Sequence, residues 1–176
     1  RTKPILTILS GPAASVAGAL LYLKVSNGIF IEVGGTSTNI CIIKNGKPEI
    51  RYVTIKDHPT CIRSMDVRIL GVAGGSMIKL KDKRVWKVGP RSAHIAGMKY
   101  SCFAAPEILK KGKIIEVKPK QSDADPYIAI ECDGETFAIT NTCAANALGL
   151  IDKDDYSYAN QTSAKIAMEL LGRQIG

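Results

Sequence analysis

One stretch of this sequence limits its fold more than any other. Ile29-Phe30-Ile31-Glu32-Val33 runs into Gly34-Gly35, and Thr36-Ser37-Thr38-Asn39 follows before apolar residues resume. The first five residues are strand formers, the two glycines halt them, and residues 38–43 restart as a second strand. Asn45-Gly46 is a strong two-residue hairpin signal, so residues 49–55 are expected to return as a third consecutive antiparallel strand. This order of strand, glycine-rich turn, strand, tight turn and strand excludes an all-helical chain.

Ser10-Gly11-Pro12 opens a helix, with Ser10 or Gly11 as cap and proline in the first turn. It is expected to run to about Val25 and to leave through a left-handed Asn27-Gly28. After a loop at 56–59, residues 62–70 read as extended and end in a second glycine-rich turn, Gly71-Val72-Ala73-Gly74-Gly75-Ser76. Residues 77–80 and 85–88 read as a hairpin whose outward positions hold Lys79, Lys81 and Lys87. Three further strands, 114–117, 127–131 and 135–139, fall within residues 107–140, which read as a small β-rich insertion. Two helices close the chain. The first begins near Thr142; the second spans about 156–174 with Ala164, Ala167, Met168, Leu171 and Ile175 on one face. The expected fold class is α/β.

At 176 residues the chain suits one main domain, and its 45% apolar and 23% charged content excludes disorder. The longest apolar run, residues 13–23, is far short of the roughly 20 residues a bilayer requires, so no membrane partner is expected. The sequence opens on Arg1 without an initiator methionine, which suggests a piece of a longer polypeptide whose sites are half-sites. Five cysteines, none in CxxC or zinc-ligand spacing, point to a reducing, cytoplasmic setting. The net charge of +8 is unevenly spread: residues 1–43 carry +2, 44–120 carry +12 and 121–176 carry −6. A basic middle attracts nucleic acid, a polyanionic ligand or an acidic partner. Aromatic residues are only 6%, which leaves few stacking platforms and makes nucleic acid the weakest of these readings. The six basic residues of 79–91 suit a solvated hairpin edge.

The first glycine turn has a chemical use. Gly34 and Gly35 let backbone N–H groups converge on a phosphate, and Thr36, Ser37 and Thr38 add hydroxyl donors. Glu32, just before the glycines, is placed to hold magnesium directly or through its water shell. A plain hairpin with a glycine bulge accounts for the same spacing, and strand alternation alone would carry Glu32 to a solvated face. Arg91 and Ser92 suit either a phosphate contact or a surface loop. Cys102 has no base within sequence reach and is expected as a buried, inert thiol. His58 and His94 have no metal-ligand companion.

Four ordered motifs resemble the hydantoinase A and 5-oxoprolinase family: Ser10-Gly11-Pro12-Ala13-Ala14, the turn of residues 32–39, Gly71 to Ser76, and Val88-Gly89-Pro90-Arg91-Ser92-Ala93. The resemblance thins afterwards and returns at Asn146-Ala147-Leu148-Gly149-Leu150. It implies an actin-like ATPase (ribonuclease H-like) half-domain in which residues 1–176 form one half of an ATP–magnesium clasp. Its implied partners are the remaining half of the same polypeptide and a second hydantoinase subunit. The implied activity is ATP-dependent hydrolysis of a cyclic amide, activated by phosphoryl transfer, with the isolated fragment inactive. In that comparison Gly74, Gly75 and Ser76 support the nucleotide from a second side. The family's usual aspartates are replaced by Glu32, Asn39 and Ala144, and Arg68 stands where histidine is common. These departures leave open a non-catalytic or regulatory actin-like nucleotide-binding protein.

Overall fold

The computed structural model describes residues 10–175; residues 1–9 and 176, the ends of the expected half-domain, lie outside the described residues. The chain forms two compact units, one of Arg1–Val33 with Thr38–Leu70 and one of Gly34–Ser37 with Gly71–Gly176. Both mix strands with helices, in agreement with the α/β expectation.

The first unit holds helix α1 (Ser10–Leu23) and strands β1 (Gly28–Val33), β2 (Thr38–Lys44), β3 (Lys47–Pro48), β4 (Ile50–Ile55), β5 (His58–Met65) and β6 (Val67–Leu70). β1 and β2 pair antiparallel from Gly28↔Ile43 to Val33↔Thr38, and β6 pairs antiparallel with β2. Val16 of α1 is buried with Cys41 and Val67, and Leu20, Phe30 and Met65 pack around them. Strand alternation therefore puts Phe30, Cys41 and Val67 on the helix-covered face of the sheet. The helix ends at Leu23, and its left-handed exit is Lys24 at φ 51°, not Asn27-Gly28. Asn27 instead accepts a hydrogen bond from the Asn45 amide at 3.0 Å, tying the β2–β3 turn to the start of β1.

Asn45-Gly46 does make a tight turn, with φ of 51° and 70°, but the returning strand stays in the sheet only for Lys47–Pro48. The expected third strand of the sheet is corrected here. β4 leaves and pairs with β5 as a separate two-stranded hairpin. The residues read as a loop at 56–59 are the tip of that hairpin, with Lys56 and Asp57 at positive φ. No glycine or asparagine announces this turn, so sequence spacing favours pairing with β2.

The second unit contains β7 (Ser76–Lys81), β8 (Arg84–Ser92), β9 (Lys99–Tyr100), a 3-10 turn (Ser101–Phe103), α2 (Pro106–Leu109), β10 (Lys113–Val117), β11 (Tyr127–Cys132), β12 (Glu135–Ala138), α3 (Asn141–Ala147) and α4 (Gln161–Gly172). β7 and β8 form the expected hairpin. A four-stranded sheet follows in the order β10-β11-β12-β9, antiparallel except for the parallel β12–β9 pair. Residues 107–140, read as an insertion, build much of this unit's interior: Ile128, Ile130, Phe137 and Ile139 are buried with Ile78, Leu109, Ala167 and Leu171.

α4 begins later than expected, capped by Asn160, whose side chain accepts from the Ser163 amide. Its apolar face is the expected one at Ala164, Ala167 and Leu171, whereas Ile175 is exposed. Lys79, expected to point outward, is buried: its ammonium meets Asp125 at 3.2 Å and lies over the Tyr127 ring. Arg91 is paired with Asp123 in the same segment, so two basic residues of the hairpin hold the loop before β11.

Candidate functional site: a glycine turn held by its carbonyls

Within the second unit, the turn at Gly34–Ser37 is pinned by its oxygens, not by its amides. Gly74 N–H donates to the Gly34 carbonyl at 3.1 Å, and Gly75 N–H donates to the Gly35 carbonyl at 2.7 Å. Gly34 N–H closes the turn on the Ser37 carbonyl at 3.1 Å. The N–H groups of Gly35, Thr36 and Ser37 have no hydrogen-bond acceptor among the described residues. Gly34 and Gly35 are exposed, and a Cβ placed on Gly35 meets nothing within 4 Å. Three successive amides of this turn thus keep unused donor capacity, at exposed Gly35 and at partly exposed Thr36 and Ser37. The Thr36 and Ser92 hydroxyls pair at 2.9 Å beside it.

The second glycine turn has a task other than the expected one. The amides of Gly74 and Gly75 are spent on the first turn, the Ser76 amide goes to the Ala73 carbonyl, and the buried Ser76 hydroxyl accepts from the Ala73 amide. Donors already bonded and buried are not free for a phosphate. Gly74, Gly75 and Ser76 are therefore corrected from phosphate ligands to the platform that sets the first turn. A Cβ on Gly75 would stand 2.6 Å from the Gly35 carbonyl oxygen and collide with the Tyr100 hydroxyl, so only glycine permits this approach.

Two other segments complete the platform. Ala93 N–H donates to the Gly75 carbonyl at 2.9 Å, which brings the end of the Val88 to Ala93 motif to the same place. Gly89, at φ 74°, lies against the Gly71 carbonyl, where a side chain would clash. At the start of α3, the Thr142 amide and hydroxyl both donate to the Gly74 carbonyl at 2.8 and 2.9 Å, and the Asn141 amide group donates to the Ala73 carbonyl at 2.9 Å. Sequence reasoning missed Asn141 and Thr142. Their polarity ahead of a helix reads as capping, and only the fold brings them to a turn 68 residues earlier.

In the first unit, Glu32 and Asn39 are register partners on β1 and β2, on the face that carries α1. The Glu32 carboxylate accepts from the Ser15 hydroxyl at 3.1 Å and from the Asn39 Nδ2 at 2.8 Å. Since an ionised carboxylate only accepts, the Asn39 amide must present Nδ2 to it, which turns Oδ1 the other way. That Oδ1 is buried without a partner. With both carboxylate oxygens accepting and the Asn39 donor against one of them, Glu32 suits at most a water-mediated contact to a hydrated magnesium ion, and the buried Oδ1, turned away from it, adds no second ligand. The described residues hold no cluster of three or more His, Cys, Asp or Glu side chains that could bind a metal. Thr38 sits in the β2 ladder opposite Val33 and Leu70.

Cys102 is fully buried, as expected of an inert thiol; its hydrogen bond with Cys143 and its burial push its pKa far above the ordinary thiol value. Arg91, weighed as a phosphate contact, is held by Asp123. His94 is exposed on the turn after β8, and His58 is exposed at the β4–β5 tip.

Over 96% of its length the chain shares its fold with an acetone carboxylase whose nucleotide-free structure was solved in work on ATP-dependent acetone carboxylation. The TM-score is 0.60 at 20% identity, and the match covers 22% of that chain. The class is thus a mixed α/β fold of the kind found in that carboxylase. The family model described as hydantoinase/oxoprolinase matches residues 1–176, and the chain belongs to that family. A relative within reach by sequence is the caprolactamase subunit alpha of Pseudomonas jessenii, 31% identical over 138 residues, which are 76% of this chain and 18% of the relative. The chain spans about a fifth of the length of these two proteins. Among the described residues no helix is long and apolar enough to cross a membrane.

Proposed function

We propose that this chain is one half of an actin-like ATP-binding domain in an ATP-dependent hydantoinase/oxoprolinase-type hydrolase, and that the turn of residues 34–37 receives a phosphate. The observation that carries the reading is the set of amides at Gly35, Thr36 and Ser37 without an acceptor among the described residues, in a turn whose Gly34, Gly35 and Ser37 carbonyls are engaged. Such a turn is preorganised: its donors need no rearrangement to meet negative charge, which is where electrostatic stabilisation of phosphoryl transfer arises. The Thr36–Ser92 hydroxyl pair supplies a further donor at its edge.

The Glu32 carboxylate would hold magnesium through its water shell, and the metal would supply positive charge. The family and the names of its relatives favour a cyclic amide, activated by phosphoryl transfer before ring opening, as the substrate of the intact enzyme. The exposed amides do not depend on magnesium or substrate for their placement, since Gly74, Gly75 and Thr142 fix the turn from behind.

A second reading, nucleotide binding without turnover, is favoured by the single charge of the Glu32–Asn39 pair. Amide NMR of isotope-labelled parent polypeptide titrated with ATP tests the site directly. Gly35 and Thr36 should shift more than Gly74 and Gly75. Equal, negligible shifts at all four would remove the phosphate assignment. Glu32→Gln in the parent should lower ATP turnover at least 100-fold and weaken its magnesium dependence, whereas a variant with unchanged turnover would remove the metal role. A wild-type parent that binds ATP without hydrolysing it, but gains hydrolysis with Asn39→Asp, would favour the second reading.

A further inference from the structure

The three-strand core of the first unit has one covered face and one bare face. On the covered side α1 lies over Phe30, Cys41 and Val67. Strand alternation and the register place Ile29 with Ile42, Ile31 with Ile40 and Arg68, and Val33 with Thr38 and Leu70 on the opposite side. There Ile29, Ile31 and Val33 are 68%, 60% and 66% exposed, and Ile42 and Leu70 are 40% and 49% exposed.

These strands carry apolar residues on consecutive as well as alternate positions, as in Ile29 to Ile31 and Ile40 to Ile43, so both faces hold apolar side chains. That is the pattern of strands buried on both faces. Five partly exposed aliphatic side chains present roughly 500 Å², near the upper end of the apolar patches that monomeric proteins display. A stable pair of free proteins needs about 800 Å² from each partner. The patch is too small to recruit a second copy by itself, but ample for a tethered segment, whose effective concentration replaces the missing area. Arg68, opposite Ile40 on the edge strand β6, lies on this face and has no ion pair among the described residues. A surface that covered it without a counter-charge would bury an unpaired guanidinium.

We infer that this face is the docking surface for an amphipathic helix from the same parent polypeptide, outside residues 1–176, with an apolar stripe and one carboxylate aimed at Arg68. The length of the relatives supplies the source, since four fifths of each lies outside the matched region. The contact rests on the first unit alone and is independent of the nucleotide reading.

The test uses the parent polypeptide with a single added thiol at Ile31→Cys or, should that variant fold poorly, Leu70→Cys at the rim. Exposed Cys61 is the internal reference. Maleimide labelling at the added thiol should be at least tenfold slower than at Cys61. In mixed samples of isotopically light and heavy polypeptide, a lysine- and acid-reactive cross-linker set at Arg68→Lys should join it, within one molecule, to an acidic residue outside 1–176. Labelling as fast as at Cys61 overturns the proposal. So do light–heavy cross-links, which assign the face to a second copy, and cross-links confined to residues within 1–176.

Discussion

Replacing Gly75 by alanine separates the platform from the turn it supports. The added Cβ would stand 2.6 Å from the Gly35 carbonyl oxygen and overlap the Tyr100 hydroxyl. The first neighbour is backbone, so the two turns must part. Parting them sacrifices the Gly75–Gly35 bond at 2.7 Å and the adjacent Gly74–Gly34 bond at 3.1 Å. At about 1 kcal/mol net per bond, with a further 1–3 kcal/mol for overpacking, the variant should lose about 3–5 kcal/mol. For a chain of this length that lowers the melting temperature by roughly 6–20 °C. Trp86, the single tryptophan, lies on β8 of the second unit, so its fluorescence in a urea titration reports the affected unit. Gly35→Ala is the matched control: its Cβ enters open space, so it should change stability by less than about 0.5 kcal/mol. On the proposed phosphate assignment, that same methyl should weaken ATP binding by the parent polypeptide. A Gly75→Ala variant as stable as wild type would refute the account of the platform, and a strongly destabilised Gly35→Ala would refute the claim that its face is open.

Three further outcomes are expected. The Arg91 hydrogen bond holds the Asp123 carboxyl below its ordinary pKa, so this pair stabilises the fold above about pH 4, the unfolded value, and the contribution fades as pH falls toward the folded value; melting curves between pH 7 and 3 should show Asp123→Asn less stable than wild type at neutral pH, with the gap closing in acid. Asn146 donates to the Thr142 and Ser157 carbonyls and accepts from the Ala159 amide, so Asn146→Ala should cost about 2–4 kcal/mol in chemical denaturation by leaving those groups unpaired. Calorimetry on the 176-residue chain should find ATP affinity weaker than micromolar, because a clasp that grips phosphates from two halves loses much of its binding energy with one; submicromolar binding would contradict the half-site reading.

Local signals were sufficient where the physics is local. Gly34-Gly35 marked the break between β1 and β2, and the alternation of residues 77–88 gave the β7–β8 hairpin. The same reasoning failed where a turn lacked its usual residues. Lys56-Asp57 and Asp82-Lys83 adopt positive φ without glycine, and the first of these sent β4 to β5 instead of into the main sheet. Lys79 looked like an outward lysine because alternation reports a face, not what covers it; Asp125 and Tyr127 arrive from another strand and its loop.

The sequence by itself determined that a glycine turn with free donor capacity would interrupt two strands, since backbone permissiveness and hydroxyl content are properties of the residues present. The four ordered motifs also pointed to the hydantoinase/oxoprolinase family that the whole chain matches. Only the tertiary structure decided which glycine turn keeps its amides. Both turns are rich in glycine and hydroxyl residues, and nothing local distinguishes them. Gly74 and Gly75 lost theirs because the fold sets them against the carbonyls of Gly34 and Gly35, with Thr142 fastening them from the far side. A backbone N–H has one proton to give, and which acceptor takes it depends on segments about 40 and 68 residues apart in the chain.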